Sequence, residues 1–190
     1  MAKSVLNDTQ VVTGEVRLSY VNLFEAKKFN DSDADAKFSV TILIPKDTED
    51  GKRTIARIQA AIRKAAEKGA QKHFGGRVPT NVTHTLRDGD TETDDIGDLK
   101  NIKNPELKGH MFMHLSSKFA PKVLDANRNE ILNPLEVYSG CYGKVSLTCF
   151  AYSNTGKRGV SAVLNNVMKT RDGDPLTSML TGDEFDEDEE

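Results

Sequence analysis

The segment from Val137 to Tyr152, V-Y-S-G-C-Y-G-K-V-S-L-T-C-F-A-Y, constrains the fold more than any other part of the chain. Its side chains alternate in character with a period of two, which is the period of a β-strand. The odd positions are small and mostly apolar: Cys141, Gly143, Val145, Leu147, Cys149 and Ala151. The even positions are aromatic, cationic or hydroxylic: Tyr138, Tyr142, Lys144, Ser146, Thr148, Phe150 and Tyr152. The segment therefore predicts a long strand whose small face packs on the core of a strongly curved sheet.

The even face admits two interpretations. Aromatic rings beside a cation and hydroxyl groups are what a protein uses to stack bases and contact phosphates. The same rings could instead pack beneath a helix, with the tyrosine hydroxyl groups satisfied by local partners. The alternation by itself does not decide between a binding face and a packed face.

The length and hydropathy of the chain indicate a soluble protein. Its 190 residues fit one domain with an embellishment and a tail. No apolar run reaches the ~18 residues that a membrane span requires, and the N-terminus lacks the apolar segment of a secretion signal. We therefore expect a cytoplasmic protein with no membrane partner.

The two cysteines agree with a reducing compartment. Cys141 and Cys149 lie roughly 26 Å apart if they belong to one strand. A disulfide requires Cα atoms within about 7 Å, so we expect two reduced, buried thiols. With no histidine at ligand spacing, the pair also argues against a zinc site.

The net charge of −3 hides a strong asymmetry along the chain. The last eight residues, D-E-F-D-E-D-E-E, hold seven acids and no base. Without those seven, the 29 acidic residues fall to 22 against 26 basic ones, so the rest of the chain carries +4. The pattern predicts a mildly basic body with an acidic tail from Gly182 to Glu190, and a dense run of like charge favours disorder in that tail.

The rest of the chain predicts four further strands and one helix. The strands are Gln10 to Tyr20, Lys37 to Ile44, His110 to Lys118 and Val160 to Met168, and the helix runs from Asp47 or Thr48 to about Lys72. This order favours a mainly β chain with an inserted helix, an OB-fold with a five-stranded, partly open Greek-key barrel. We expect that domain to span residues 1–181 and the disordered tail to span residues 182–190.

The predicted helix carries two neighbouring stripes. Ile55, Ile58, Ile62, Ala65 and Ala66 form an apolar stripe, and Arg53, Arg57, Lys64, Lys68 and Lys72 form a basic one. We expect the apolar stripe to pack on the barrel. The basic stripe is either a solvated face or the flank of a phosphate track.

The segment from Gly75 to Gly109 is a long polar insertion for which we predict a short strand near Thr83 to Leu86. Its carboxylates Asp88, Asp90, Asp94 and Asp95 could be taken as a Mg²⁺ cluster. That interpretation is disfavoured, because Asp-Gly is a turn dipeptide and Mg²⁺ needs carboxylates that converge in space. We predict no metal site and no cofactor.

Several segments, in order, resemble the OB-fold single-stranded-DNA-binding proteins of tailed bacteriophages. They are V-x-T-G-E-V-R-L-S-Y-V-N-L-F-E (Val11 to Glu25), K-F-S-V-T-I-L-I-P-K (Lys37 to Lys46), R-D-G-D (Arg87 to Asp90), V-Y-S-G-C-Y-G-K-V-S-L (Val137 to Leu147) and G-V-S-A-V-L-N-N-V-M-K-T-R-D-G-D-P-L (Gly159 to Leu176). The resemblance implies an OB fold that binds single-stranded DNA (ssDNA) without strong sequence preference during phage replication or recombination. It also implies a host-cell cytoplasmic location, and proteins of this kind commonly end in an acidic tail.

Residue pattern and resemblance together predict the binding residues. The candidates for DNA are Tyr138, Tyr142, Lys144, Phe150, Tyr152, Lys157, Arg158, Tyr20, Lys27 and Lys28. The candidates for protein partners in replication or recombination are Asp183, Glu184, Phe185 and Asp186 of the tail. We also expect the tail to compete with DNA for the same cations. The oligomeric state, including a homo-oligomer, stays open.

Two other functional classes remain as alternatives to this non-enzymatic binding protein. One is a metal-dependent nuclease that uses the acids between Asp88 and Asp95. The other is a structural phage protein with a β-barrel body that binds no nucleic acid. Mg²⁺-dependent cleavage would identify the first, and absence of DNA affinity at low salt would identify the second.

Overall fold

The computed structural model of the protein describes residues 6–28 and 35–176. The strands of that part are β1 (Gln10–Val12), β2 (Val16–Lys27), β3 (Lys37–Pro45), β4 (Thr83–His84), β5 (Leu86–Asp88), β6 (His110–Ser117), β7 (Lys122–Leu124), β8 (Tyr142–Asn154) and β9 (Lys157–Arg171). The α-helices are α1 (Glu49–His73) and the single turn α2 (Lys100–Lys103), and 3-10 turns span Pro105–Leu107 and Pro134–Glu136. Within the described ranges, no helix is long and apolar enough to cross a membrane.

The five long strands close into a barrel. β2 pairs with β3, β3 with β6, β6 with β9, β9 with β8, and β8 returns to β2. The β6–β9 contact is parallel and rests on the single pair Ser116–Val163, whereas the other four contacts are antiparallel. Numbered along the chain as strands one to five, they follow the order 1-2-3-5-4-1 around the barrel. This architecture confirms the predicted OB fold, a five-stranded, partly open Greek-key barrel.

The barrel core follows the predicted alternation of the central strand. On β8, Gly143, Val145, Leu147 and Cys149 are buried, while the even positions between them are exposed or half-buried. Both cysteines are buried free thiols, as predicted, and burial raises the pKa of Cys149 to about 11. A thiol with so high a pKa stays protonated at neutral pH and is chemically inert.

Helix α1 lies against β8 through small and aliphatic residues. The Thr48 side chain caps its first turn by accepting a hydrogen bond from the Gly51 amide at 3.0 Å. Its buried face includes Ile58, Ile62, Ala65, Ala66 and Gly69. Gly69 permits a close approach, because a Cβ at that position would lie only 2.2 Å from the Cβ of Ala151. The prediction that the apolar stripe packs on the barrel is confirmed.

The strand boundaries differ from the predicted ones at both ends of the barrel. The strand expected from Gln10 to Tyr20 is split, because Gly14 and Glu15 cross the N-terminal end of α1, where the Gly14 amide donates to Thr54 Oγ1 at 2.9 Å. β2 then continues to Lys27, beyond the predicted end of the strand at Tyr20.

The central strand begins at Tyr142 and not at Val137, and the prediction was wrong there. A 3-10 turn at Pro134–Glu136 and the positive φ of Gly140 (117°) bend the chain before the strand can start. The last strand is longer than predicted and runs from Lys157 to Arg171.

The insertion between Gly75 and Gly109 carries β4, β5, α2 and a 3-10 turn, with short strands where one was predicted. It is fastened to the barrel by Lys46, whose ammonium lies 2.7 Å from Asp88 Oδ1 and 2.5 Å from Asp90 Oδ2. The hydrogen bond from Lys46 lowers the pKa of both carboxyl groups. These two acids thus converge on an ammonium, and no cluster of three or more potential metal ligands occurs in the described ranges.

Candidate nucleic-acid interface

A cavity of about 650 Å³ opens on the outer face of β2, β3 and β6, and we call it the β2–β3–β6 cleft. It is lined by Tyr20, Asn22, Lys27, Lys28, Asp35, Lys37, Ser39, Thr41, His114 and Ser116. Three ammonium groups face one carboxylate there, and most of the other lining groups are neutral hydrogen-bonding groups. β3 and β6 are the second and third strands of the barrel, and this is the face on which OB folds bind oligonucleotides.

Tyr20 projects into the cleft from a β-bulge. The pairing of β2 with β3 shifts register between Ser19 and Asn22, and Tyr20 itself has a φ of +47°. A bulge of this kind turns a side chain out of the regular alternation. The residue is 60% exposed, and its hydroxyl donates to Asn104 Oδ1 at 3.1 Å. Tyr20 is therefore held in place at its tip, while much of its ring remains accessible for stacking.

The floor of the cleft is polar and uncharged at neutral pH. Thr41 Oγ1 and His114 Nδ1 share a hydrogen bond of 3.2 Å. Partial desolvation, helped by the nearby Lys37 ammonium, lowers the pKa of His114, so its imidazole is neutral at pH 7. Because Thr41 occupies Nδ1, His114 offers a base only Nε2, which donates or accepts according to the tautomer.

The outer surface continues from the cleft across the barrel to Phe150. Ser116 on β6 pairs with Val163 on β9, and Val163 in turn pairs with Thr148 on β8. Phe150 lies two residues further along β8, opposite Ser161, and is 44% exposed. Two steps between neighbouring strands cover about 10 Å, so Phe150 belongs to the same surface as the cleft.

The β8–β9 hairpin adds two cations at the end of this surface. Its tip has positive φ angles at Thr155 (40°) and Gly156 (82°), as a two-residue hairpin turn requires. Lys157 and Arg158 follow immediately and are exposed. This hairpin is the connection between barrel strands four and five, one of the two loops that flank the binding face of OB folds.

Tyr142 and Lys144 lie at the opposite end of β8, roughly 26 Å and roughly 20 Å from Phe150 at the rise of a strand. The Arg171 guanidinium stacks on the Tyr142 ring, 3.7 Å from its centroid, and Arg171 Nε donates to Glu15 Oε1 at 2.9 Å. Lys144 is exposed and lines a separate cavity of about 550 Å³ beside α1. The predicted even face is therefore one surface with two distant ends.

Two further candidate rings differ in their accessibility. Tyr138 lies outside β8 and packs against the core, with its hydroxyl 3.0 Å from both Asp172 Oδ1 and the Gly173 carbonyl. The Lys169 ammonium lies 5.4 Å from its ring centroid. The Tyr138 ring is therefore packed against the protein, with its hydroxyl satisfied by local partners, and is not an open stacking surface. Tyr152 is half-buried beside Phe150 on β8.

Some residues at the cleft were not identified from the sequence. Phe119 is 83% exposed just beyond β6, and its neighbour Lys118 pairs with Asp35 of the cleft at 2.8 Å. Lys37 and His114 line the cleft itself. The signal for Phe119 was present in K-F-A-P-K, an aromatic residue between two cations in a proline-containing turn.

The tail candidates Asp183, Glu184, Phe185 and Asp186 lie outside the described residues.

The fold and this surface together define a class, the OB barrels with an oligonucleotide-type binding face. The chain belongs to the family described as Enterobacter phage Enc34, ssDNA-binding protein, which it matches over residues 9–190. This match confirms the resemblance to phage ssDNA-binding proteins found in the sequence.

Individual relatives agree with that membership. The chain is 30% identical over 186 residues to protein p50 of Acyrthosiphon pisum secondary endosymbiont phage 1, covering 94% of this chain and 93% of the relative. The ssDNA-binding protein of bacteriophage Enc34, solved in complex with ssDNA, superposes with a TM-score of 0.74 at 23% identity, covering 93% of this chain and 97% of that one. The ssDNA-binding protein gp2.5 of bacteriophage T7 superposes with a TM-score of 0.60 at 14% identity, covering 95% of each chain. At these sequence identities, the two structural similarities establish a shared fold.

Proposed function

We propose that this protein binds single-stranded DNA without strong sequence preference and acts as a non-enzymatic coating protein in phage DNA replication or recombination. The observation that carries the proposal is the β2–β3–β6 cleft, a cationic cavity on the binding face of an OB barrel. Membership of the Enc34 ssDNA-binding family supports the same conclusion.

The proposed DNA path starts in the cleft and crosses the barrel. Tyr20 and Phe150 offer rings for stacking, and Lys27, Lys28 and the hairpin cation Lys157 offer charges to phosphates. The remaining accessible candidates extend this path: Phe119 at the rim of the cleft, Tyr152 and Arg158 near the hairpin, and Tyr142 and Lys144 towards the other end of β8. Tyr138, whose ring packs against the core, is not part of this path. Because the floor groups of the cleft are short hydroxyls, an amide and one imidazole, we expect weak discrimination between bases.

We further propose that the acidic tail has two roles. Its seven carboxylates compete with DNA phosphates for the basic surface, at the ~millimolar effective concentration that a short tether provides. When DNA displaces the tail, the residues Asp183, Glu184, Phe185 and Asp186 become available to replication or recombination proteins. Phe185 is the single apolar side chain among these acids and would occupy an apolar pocket of such a partner.

The experiment is a titration of a labelled oligothymidylate and its duplex counterpart at two salt concentrations, with and without Mg²⁺. We expect tight binding to the single strand, a linear fall of log Kobs with log salt, and no cleavage. Mg²⁺-dependent cleavage would contradict the non-enzymatic role, and absence of binding at low salt would contradict the proposal as a whole.

A further inference from the structure

Residues 94–98, D-D-I-G-D, form a closed loop that displays an isoleucine at its tip, and we call them the Ile96 loop. The Asp94 amide donates to the Asp98 carbonyl at 2.8 Å. Asp94 Oδ1 accepts hydrogen bonds from the amides of Ile96 and Asp98 at 3.1 and 3.0 Å, and the Lys103 ammonium holds Asp94 Oδ2 at 3.2 Å. In this tightly hydrogen-bonded loop Ile96 is nevertheless 78% exposed.

A second loop with the same hydrogen-bond pattern shows that the loop itself does not need the isoleucine. In residues 125–129, D-A-N-R-N, the Asp125 amide donates to the Asn129 carbonyl at 2.8 Å. Asp125 Oδ1 accepts from the amides of Asn127 and Asn129, both at 2.8 Å. Asn127 is exposed and holds the position that corresponds to Ile96. A polar residue therefore serves at this tip, and the exposed isoleucine requires an explanation outside the loop.

The Ile96 loop belongs to a surface that is both apolar and acidic. Leu99 and Ile102 follow the loop directly and are 39% and 67% exposed. Asp95 and Asp98 are exposed and make no ion pair within 4.0 Å in the described part of the chain. Exposed aliphatic residues that cluster in one segment mark an interaction surface, whereas scattered single ones do not. The matching partner has an apolar cavity with a cationic rim.

Such a cavity lies on the protein itself, between α1 and the segment that leads into β4, and we call it the α1–β4 cavity. Its volume is about 560 Å³, several times that of an isoleucine side chain. The apolar residues that line it are Ile62, Ala66, Val78, Pro79 and Val82.

The rim of the α1–β4 cavity carries the complementary charge. Arg63 lines the cavity, and Arg77 precedes the lining residue Val78; both arginines are exposed. Over residues 6–28 and 35–176, neither arginine makes an ion pair within 4.0 Å. The lining carboxylate Glu67 is engaged by Lys64 at 3.2 Å. Two uncompensated cations at the cavity thus match the two uncompensated acids of the Ile96 loop.

The loop and the cavity lie at different ends of the proposed DNA path. Ile102 stands two residues before Asn104, whose side chain accepts a hydrogen bond from the Tyr20 hydroxyl of the cleft at 3.1 Å. The cavity lies beside the β8–β9 hairpin, because its lining residue His84 pairs with Val160 of β9. Within one molecule the loop is exposed and the cavity is open, so the two are not joined in the same chain.

We propose that the Ile96 loop of one copy docks in the α1–β4 cavity of the next copy. A contact between two different surfaces leaves one of each surface free at the ends, so it extends into an open row. One loop buries much less than the ~800 Å² per partner of a stable interface, and free copies therefore associate weakly. Copies that lie side by side on one strand of ssDNA have a high effective concentration, which populates the contact. Only this last consequence rests on the proposed function.

The test is disulfide coupling of the full-length protein at high concentration without DNA. Asp95→Cys places a thiol beside Ile96, and Thr80→Cys places one at the exposed rim of the cavity. The native Cys141 and Cys149 are 0% and 2% exposed and are protected from coupling. One of the two variants carries a tag, so that mixed dimers differ in mass from dimers of a single variant. Under mild oxidation, we expect the mixed dimer to be the main product.

The second loop provides matched controls. Ala126 is exposed and holds the position that corresponds to Asp95, so Ala126→Cys should form no mixed dimer with Thr80→Cys above the background of random collisions. Ile96→Asn, added to Asp95→Cys, gives the Ile96 loop the tip residue of the second loop. It should lower the yield of mixed dimer about tenfold or more, the factor that corresponds to burial of an isoleucine side chain, with an unchanged thermal melt.

A chain that carries both Asp95→Cys and Thr80→Cys distinguishes an open row from a reciprocal pair. In an open row every copy couples to two neighbours, so we expect a ladder of trimers and larger species. A reciprocal pair, in which each loop occupies the cavity of the other copy, would stop at the dimer.

Three outcomes would overturn the proposal. They are equal yields of mixed dimer with Asp95→Cys and Ala126→Cys, undiminished coupling in the presence of Ile96→Asn, and a doubly substituted chain that stops at the dimer. Since DNA is absent, none of these outcomes depends on whether the protein binds ssDNA. A failure of the proposed function would be seen separately in the oligonucleotide titration.

Discussion

Replacement of Phe150 by alanine separates stacking from charge at the proposed DNA surface. The ring lies on the outer face of β8, opposite Ser161, and 44% of the residue is exposed in the absence of DNA. A base that stacks on such a ring contributes ~1–3 kcal/mol. At 1.4 kcal/mol per tenfold, the Kd of Phe150→Ala for ssDNA should rise about 5- to 150-fold. The dependence on salt should not change, because stacking releases no counterions.

The effect of Phe150→Ala on folding should be smaller than at a core position. A fully buried Phe loses about 3–5 kcal/mol on truncation to alanine, and Phe150 is already partly solvated. The assay is fluorescence anisotropy with a labelled oligothymidylate at two salt concentrations, accompanied by a thermal melt of each variant.

Leu135→Ala is the control for the loss of an exposed apolar side chain. Leu135 is 84% exposed in the 3-10 turn before β8, away from the proposed path. Its replacement should leave Kd unchanged. Equal affinities of Phe150→Ala and the unmodified protein would refute stacking at this ring, and so would a loss of affinity that simply follows a lowered melting temperature.

Three further perturbations test other parts of the structure. Lys157→Ala should lower the salt slope of log Kobs by about 0.7, because one fewer counterion is released from a single strand; an unchanged slope would place the hairpin off the DNA path. Removal of residues 182–190 should tighten DNA binding, most strongly at about 20 mM salt, where the Debye length is ~20 Å; equal affinity there would contradict tail competition. Because Lys46 lowers the pKa of Asp88 and Asp90, their contribution to the free energy of unfolding is present above about pH 4 and is lost as the pH falls through the lower folded-state values. Lys46→Met should therefore weaken the decline of the urea midpoint between about pH 5 and pH 2, and an identical decline would show that the pairing is irrelevant to acid stability.

The fold was predictable because its strongest signals are local. The alternation along β8 and the apolar stripe of α1 depend on the residue pattern alone, and both are present in the structure. Closure of the barrel was expected from the order of elements. The pairing that closes it, Ser116 with Val163, joins residues far apart in the chain, and no periodicity specifies such a register.

The candidate site was less accessible to sequence reasoning, because it depends on tertiary neighbours. The position of Tyr20 follows from a bulge in the pairing of β2 with β3. The Tyr142 ring is covered by the guanidinium of Arg171, the last residue of β9. His114 could not be assigned to the cleft from the sequence, because its hydrogen bond to Thr41 joins two different strands, β6 and β3. The pattern identified the right kind of surface, and the structure divides it into a cleft side and an α1 side.

The proposed path of ssDNA is tested most directly by NMR titration of the full-length protein with a short oligothymidylate. Amide signals of Tyr20 in the cleft, Ser116 on β6 and Phe150 on β8 should shift together and saturate at the same DNA concentration, because one strand contacts all three. Shifts confined to the surroundings of Tyr142 and Lys144, with the cleft signals unmoved, would contradict the proposed path and place the DNA at the other end of the barrel.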